Sequence, residues 1–222
     1  EHDGEGYSRK SASRPQIHNL SAGFARIPNG KRREFTEYVT TGEVNNRIAT
    51  AGYSKNYTPL YLSTRERESH FLFNPVETLL STTYGGVGVA SATQINLTPA
   101  FPHNKSMLKY NANTMTYDYY EYGSAHKDAA SGEQLTFENV ILQNTTFADL
   151  GEGYLIYNAI DSGRSGYYIT EGKAIEVNWT KSSENAITHY YDAKTGEEIE
   201  VNTGKTYISL IPSDGWNNVV IK

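Results

Sequence analysis

Residues 153–211 read GYLIYNAIDSGRSGYYITEGKAIEVNWTKSSENAITHYYDAKTGEEIEVNTGKTYISLI. Short apolar runs follow one another there, each closed by a turn signal: Asp161-Ser162-Gly163, Glu171-Gly172, Ser182-Ser183, Lys194-Thr195-Gly196 and Thr203-Gly204. Within the runs the period is two. Ile175, Val177 and Trp179 fall on one face while Glu176 and Asn178 point the other way, as a half-buried strand requires. β-Branched and aromatic runs punctuated in this way predict an antiparallel, meander-like β domain.

The same ordered text, GYYITEGKAIEVNWTK followed by HYYDAKTGEEIEVNTGKTYISLIP, resembles the C-terminal domain of the YerB-like lipoproteins, a Gram-positive surface family of unknown function. Upstream, SASRPQIHNLSAGFARI (Ser11 to Ile27) is similar to a segment of that family's N-terminal domain, with Arg14 at the position of its arginine. Arg65 to Phe73 resembles the family's arginine-rich turn, but Ser69 stands for its proline and Phe71 for its asparagine. The resemblance implies an extracytoplasmic location, with membrane attachment only through a lipid anchor outside these residues. It implies no settled activity.

These readings predict an α+β chain. An incomplete α/β segment over 1–88, the latter part of the family's N-terminal domain, is followed by a mainly antiparallel β-rich domain over 89–222. The small, flexible text STTYGGVGVASA (81–92) marks the junction.

Composition narrows the chemistry. The 222 residues contain no cysteine, which excludes disulfides, thiolate metal sites and cysteine nucleophiles. No run approaches the roughly 18 apolar residues of a membrane span. Charge is uneven: residues 1–60 hold nine Lys/Arg against six Asp/Glu, and residues 61–222 hold eleven against nineteen. An acidic β domain is poorly suited to polyanions, so nucleic acid is not an expected partner. Of the 27 aromatic residues 18 are tyrosine, which suits either simple sheet propensity or a platform on which sugar rings stack.

Along the first part, KRREFTEYVTTG (31–42) predicts a helix with Phe35, Tyr38 and Val39 on one face and Gly42 as its stop. Asn74-Pro75-Val76-Glu77 predicts a second helix start, with Asn74 as cap and Pro75 in the first turn. Farther on, Asn111-Ala112-Asn113 predicts the turn of a hairpin whose second strand is Thr114 to Tyr122. Tyr117, Tyr119 and Glu121 then share one face, and Asp118, Tyr120 and Tyr122 the other. An echo links Asp128-Ala129-Ala130-Ser131-Gly132-Glu133 to Asp192-Ala193-Lys194-Thr195-Gly196-Glu197. It predicts two like hairpin turns, because an EF-hand calcium loop would need further carboxylates in set order.

No His pair has zinc-hydrolase spacing, no G-x-S-x-G elbow occurs, and Gly85-Gly86-Val87-Gly88 lacks the following Lys-Ser/Thr of a phosphate loop. No metal site, cofactor or catalytic residue is predicted. Two candidate ligand clusters remain. Arg65, Arg67 and His70, with Arg14, could bind a phosphate or carboxylate, or the arginines could pair with neighbouring glutamates. Trp179 with Lys181 could face a glycan, or the indole could be core. The expected function is a non-catalytic surface module that binds a cell-wall polymer or a surface protein. The alternative is a wall hydrolase with its site between the two parts, built on Arg14, Arg67 and His70.

Overall fold

The computed structural model describes residues 25–33, 36–38, 40–50, 52, 71–80, 88–151, 155–183 and 186–222. The chain is mainly β, with antiparallel sheets and, among the described residues, one α-helix. It divides into two compact units, Glu1–Arg65 and Glu66–Lys222.

In the first unit a two-residue strand pair, β1 (Ala25–Arg26) and β2 (Glu37–Tyr38), precedes helix α1 (Thr41–Thr50). The expected helix over 31–42 is displaced by ten residues, because the stronger start signal lies at its end. Thr40-Thr41-Gly42-Glu43 is a capping box: Glu43 N donates to Thr40 Oγ1 at 3.2 Å, and Thr40 N donates to Glu43 Oε2 at 2.9 Å. Gly42 therefore sits in the first turn of α1 and does not stop a helix.

The second unit contains two stacked sheets. Its strands are β3 (Ala90–Ser91), β4 (Gln94–Asn96), β5 (Met107–Asn111), β6 (Thr116–Glu121), β7 (Ser124–Ala125), β8 (Thr136–Phe137), β9 (Asn139–Thr145), β10 (Phe147–Asp149) and β11 (Leu155–Tyr157). They continue with β12 (Asp161–Thr170), β13 (Lys173–Lys181), β14 (His189–Asp192), β15 (Glu198–Ile199), β16 (Thr206–Pro212) and β17 (Val220–Ile221). The large sheet runs β15-β14-β13-β12-β9-β16, with β3 on the start of β13. The small sheet runs β17-β4-β5-β6-β7, with β8 also on β6. β10 and β11 form a separate hairpin. Most pairings are antiparallel, but β16 lies parallel to β9 over seven residue pairs.

Alternation along the strands builds two cores, one on each face of the large sheet. Between the sheets lie Ile95, Leu108, Tyr117, Val140, Leu142 and Ile169. The other face carries Ile141, Tyr168, Ile175, Val177, Trp179 and Tyr190, with Leu80 packed on it. Within the large sheet the backbones of β12 and β9 approach closely at Gly166: a Cβ there would lie 2.7 Å from the Leu142 carbonyl oxygen, so no larger residue fits.

Residues 71–80 are not helical. Asn74 is buried, and its amide nitrogen donates to Glu200 O at 2.8 Å and Asn202 Oδ1 at 3.0 Å instead of capping a turn. Asn202 returns the contact, donating through Nδ2 to Thr78 O at 3.0 Å and accepting from Thr78 N at 3.1 Å. This segment thus belongs to the unit of the β sheets, upstream of the junction expected at 88/89.

The echo is realised as matched turns. Asp128 Oδ1 accepts from Ala130 N and Ser131 N at 3.0 and 2.7 Å. Asp192 Oδ1 accepts from Lys194 N and Thr195 N at 2.7 and 2.9 Å. Each glycine, Gly132 and Gly196, has φ 74° and donates its N–H back to the aspartate carbonyl at 2.9 Å. The backbone amides draw the Asp128 carboxyl below its ordinary range, those of Ser131 foremost.

Candidate functional site

The β5–β6 hairpin sorts the tyrosines. Its turn is four residues long, with Met115 at φ 55°, and β6 ends at Glu121, so both boundaries differ from the sequence reading. Tyr117 and Tyr119 point inward and are buried. Tyr117 ties the sheets together: its hydroxyl accepts from Gly172 N at 2.9 Å, and burial raises its pKa. The opposite side carries Tyr120, half-buried, and Tyr122, 60% exposed.

Around these two rings lie polar groups. The Lys109 ammonium stands 4.9 Å from the Tyr120 ring centroid, within cation–π range. His103 meets Tyr122 edge to face at 6.0 Å. Tyr122-Gly123 is a two-residue turn with both φ values positive, 53° and 83°, where a bulky residue is strained. Lys105 has φ 53° as well, and Tyr122 N donates to Asn104 O at 2.7 Å, which pins the two strained residues beside each other. Strain held by surrounding structure concentrates at functional positions. An exposed tyrosine and a half-buried one, edged by an imidazole and an ammonium, can stack on sugar rings and donate hydrogen bonds to their hydroxyls.

The other sequence candidates fare differently. Arg14, Arg65, Arg67 and His70 lie outside the described residues. Trp179 is fully buried, and its Nε1 donates to Asn144 O at 3.1 Å, so the indole is a core element with no face open to a ligand. Lys181 donates to the Ala186 carbonyl, and burial draws its pKa down. Proximity in sequence suggested a Trp179–Lys181 pair, but both side chains are committed to the fold.

A cleft of about 290 Å³ opens where the sheets part, with Tyr167, Glu176 and Ser91 as its polar groups and Ala174, Val219 and Ile221 among its apolar lining. Tyr167 is backed by Trp216, stacked at 5.5 Å. At the β12–β13 turn, burial and then the charge of Glu77 raise the Glu171 carboxyl, and burial followed by Glu171 raises the Tyr110 hydroxyl. Among the described residues no three or more His, Cys, Asp or Glu side chains converge to hold a metal ion. No described helix is long and apolar enough to cross a membrane. The His103, Lys105 and Tyr122 grouping was missed in the sequence because it depends on two left-handed residues that no local pattern announces.

Among curated proteins there is no match to this sequence. The fold is similar to that of YerB from Bacillus subtilis, whose crystal structure aligns with a TM-score of 0.64 at 13% identity over 100% of this chain and 67% of that one. Residues 97–208, half of the chain, match the C-terminal domain of the protein family of unknown function DUF3048, and the chain belongs to that family.

Proposed function

We propose that this chain is a non-catalytic binding module of an extracytoplasmic Gram-positive surface protein, anchored as a lipoprotein in its full-length form, and that its ligand is a cell-wall polymer. The observation that carries the reading is the outer face of the small sheet, where Tyr120 and Tyr122 stay accessible beside Lys109 and His103. Tyrosine gives a rigid, amphipathic contact surface at low entropic cost, which suits repeated weak contacts along a glycan. The fold likeness to YerB supports the family's domain order, with the part that precedes the β-sheet unit as the latter part of an α/β domain.

The test is co-sedimentation of the full chain with purified Gram-positive wall. The Tyr120→Ser/Tyr122→Ser double variant should lose binding with its melting temperature unchanged, and the polymer should be recovered without new reducing ends. Unchanged binding by the double variant, or cleavage of the polymer, defeats the proposal.

A further inference from the structure

The two stacked sheets treat their edges unequally. The outer strands β7, β8, β15 and β17 are each two residues long, and β15 carries the exposed charge of Glu198. Short and charged edges are how proteins avoid unwanted strand pairing. β16 departs from this pattern. It is seven residues long, reads TYISLIP, and carries no charge.

The phase of the β16–β9 ladder shows which groups β16 leaves open. Ser213 N donates to Thr145 O at 2.9 Å, and Lys205 O accepts from Asn139 N at 3.2 Å. In a parallel pair only alternate residues of a strand bond to its neighbour. The odd-numbered residues therefore face β9, and the N–H and C=O of Ile208 and Leu210 point to the free edge. None of these four groups has a partner among the described residues. The Ile208 side chain is 38% exposed beside them.

We infer that β16 pairs antiparallel with β16 of a second copy of this chain, joining two large sheets into one across a two-fold axis at Ser209. Ile208 then faces Leu210 of the partner subunit, and each such pair exchanges two backbone hydrogen bonds. A charge-free strand opposes no like charges when it meets itself, which the opposite edge of the large sheet, β15, cannot offer with Glu198 in place. Beyond the strand ends, Lys205 faces the uncharged Ser213 of the partner subunit, so this register opposes no like charges there either. The axis makes the interface isologous and closed, a dimer and not a fibre.

Sedimentation velocity of the full chain over a concentration series tests this. Wild type should show a monomer–dimer equilibrium. Ile208→Lys places like charges in the seam, and Ile208→Pro removes an outward N–H that the monomer does not use. Each should raise the dissociation constant at least about tenfold, with circular dichroism unchanged for Ile208→Lys. Ile156→Lys, on the exposed β10–β11 hairpin, should leave the dimer intact. A chain that is monomeric throughout, a dimer that survives Ile208→Lys, or one dissolved by Ile156→Lys would overturn the inference.

Discussion

Replacing Asn202 by alanine should cost the second unit about 3 kcal/mol. Asn202 is 1% exposed, and its side chain links the strand region after β15 to residues 71–80. Its Oδ1 accepts from Asn74 Nδ2 at 3.0 Å and Thr78 N at 3.1 Å, while its Nδ2 donates to Thr78 O at 3.0 Å. A net hydrogen bond is worth about 1 kcal/mol, and a buried group left without a partner costs about 1–3 kcal/mol. Asn74 keeps its contact with the Glu200 carbonyl, so the groups stranded outright are the Thr78 N–H and C=O. These three lost bonds, with a longer one donated by the Thr78 hydroxyl to Asn202 Oδ1 at 3.3 Å, then set the scale, and relief by water entering as the segment lifts sets the ceiling. Urea unfolding followed by fluorescence gives the free energy. Hydrogen exchange adds a second reading: the Thr78 amide should exchange much faster, while β12 and β13 keep their protection. A loss below about 1 kcal/mol, or undiminished protection at Thr78, would refute the view that this amide holds the segment down.

Two further outcomes follow from the turns. Glu171→Gln should raise the melting temperature at neutral pH, because burial and Glu77 disfavour the ionised carboxylate in the fold. With its folded pKa raised, Glu171 withdraws stability as pH rises above its ordinary value of 4.5, so the gain should vanish in acid, and a gain that persists there would exclude this cause. Asp128 works in the opposite direction. Its folded pKa is lowered by the Ser131 and Ala130 amides, so its contribution is present above 3.8 and lost as pH falls through the lower folded value. A carboxyl titration of Asp128 by NMR that falls at or above 3.8 would contradict the turn geometry.

What could be read in the sequence was local. Period two placed Ile175, Val177 and Trp179 together on a buried face, and the Asp and Gly positions of the echo gave two turns with matching bonds. The facing of Tyr117 and Tyr119 against Tyr120 followed from the same alternation. The misplaced helices had a different origin. At Thr40 two local signals competed, and a reciprocal pair of hydrogen bonds outweighed an amphipathic pattern. At Asn74 a cap signal yielded to partners 126 and 128 residues away, which no local pattern contains. The candidate site divided along the same line, since the outward face of Tyr120 and Tyr122 was legible and the union of Tyr122 with His103 and Lys105 was not.

The parallel pairing of β16 with β9 has a consequence for how the unit is assembled. β9 ends at Thr145, yet its outer neighbour is delivered only with Thr206–Pro212, and the small sheet takes its own last strand at Val220–Ile221. Both sheets are therefore closed by segments more than 60 residues downstream of the strands they join. Such pairings form slowly, because a long loop must close before any contact rewards it. Until then β9, with its run of Val140, Ile141 and Leu142, is an open apolar edge in the nascent chain. Stalling synthesis before residue 206 should accordingly leave a species that chaperones hold and proteases cut, however complete its hairpins are.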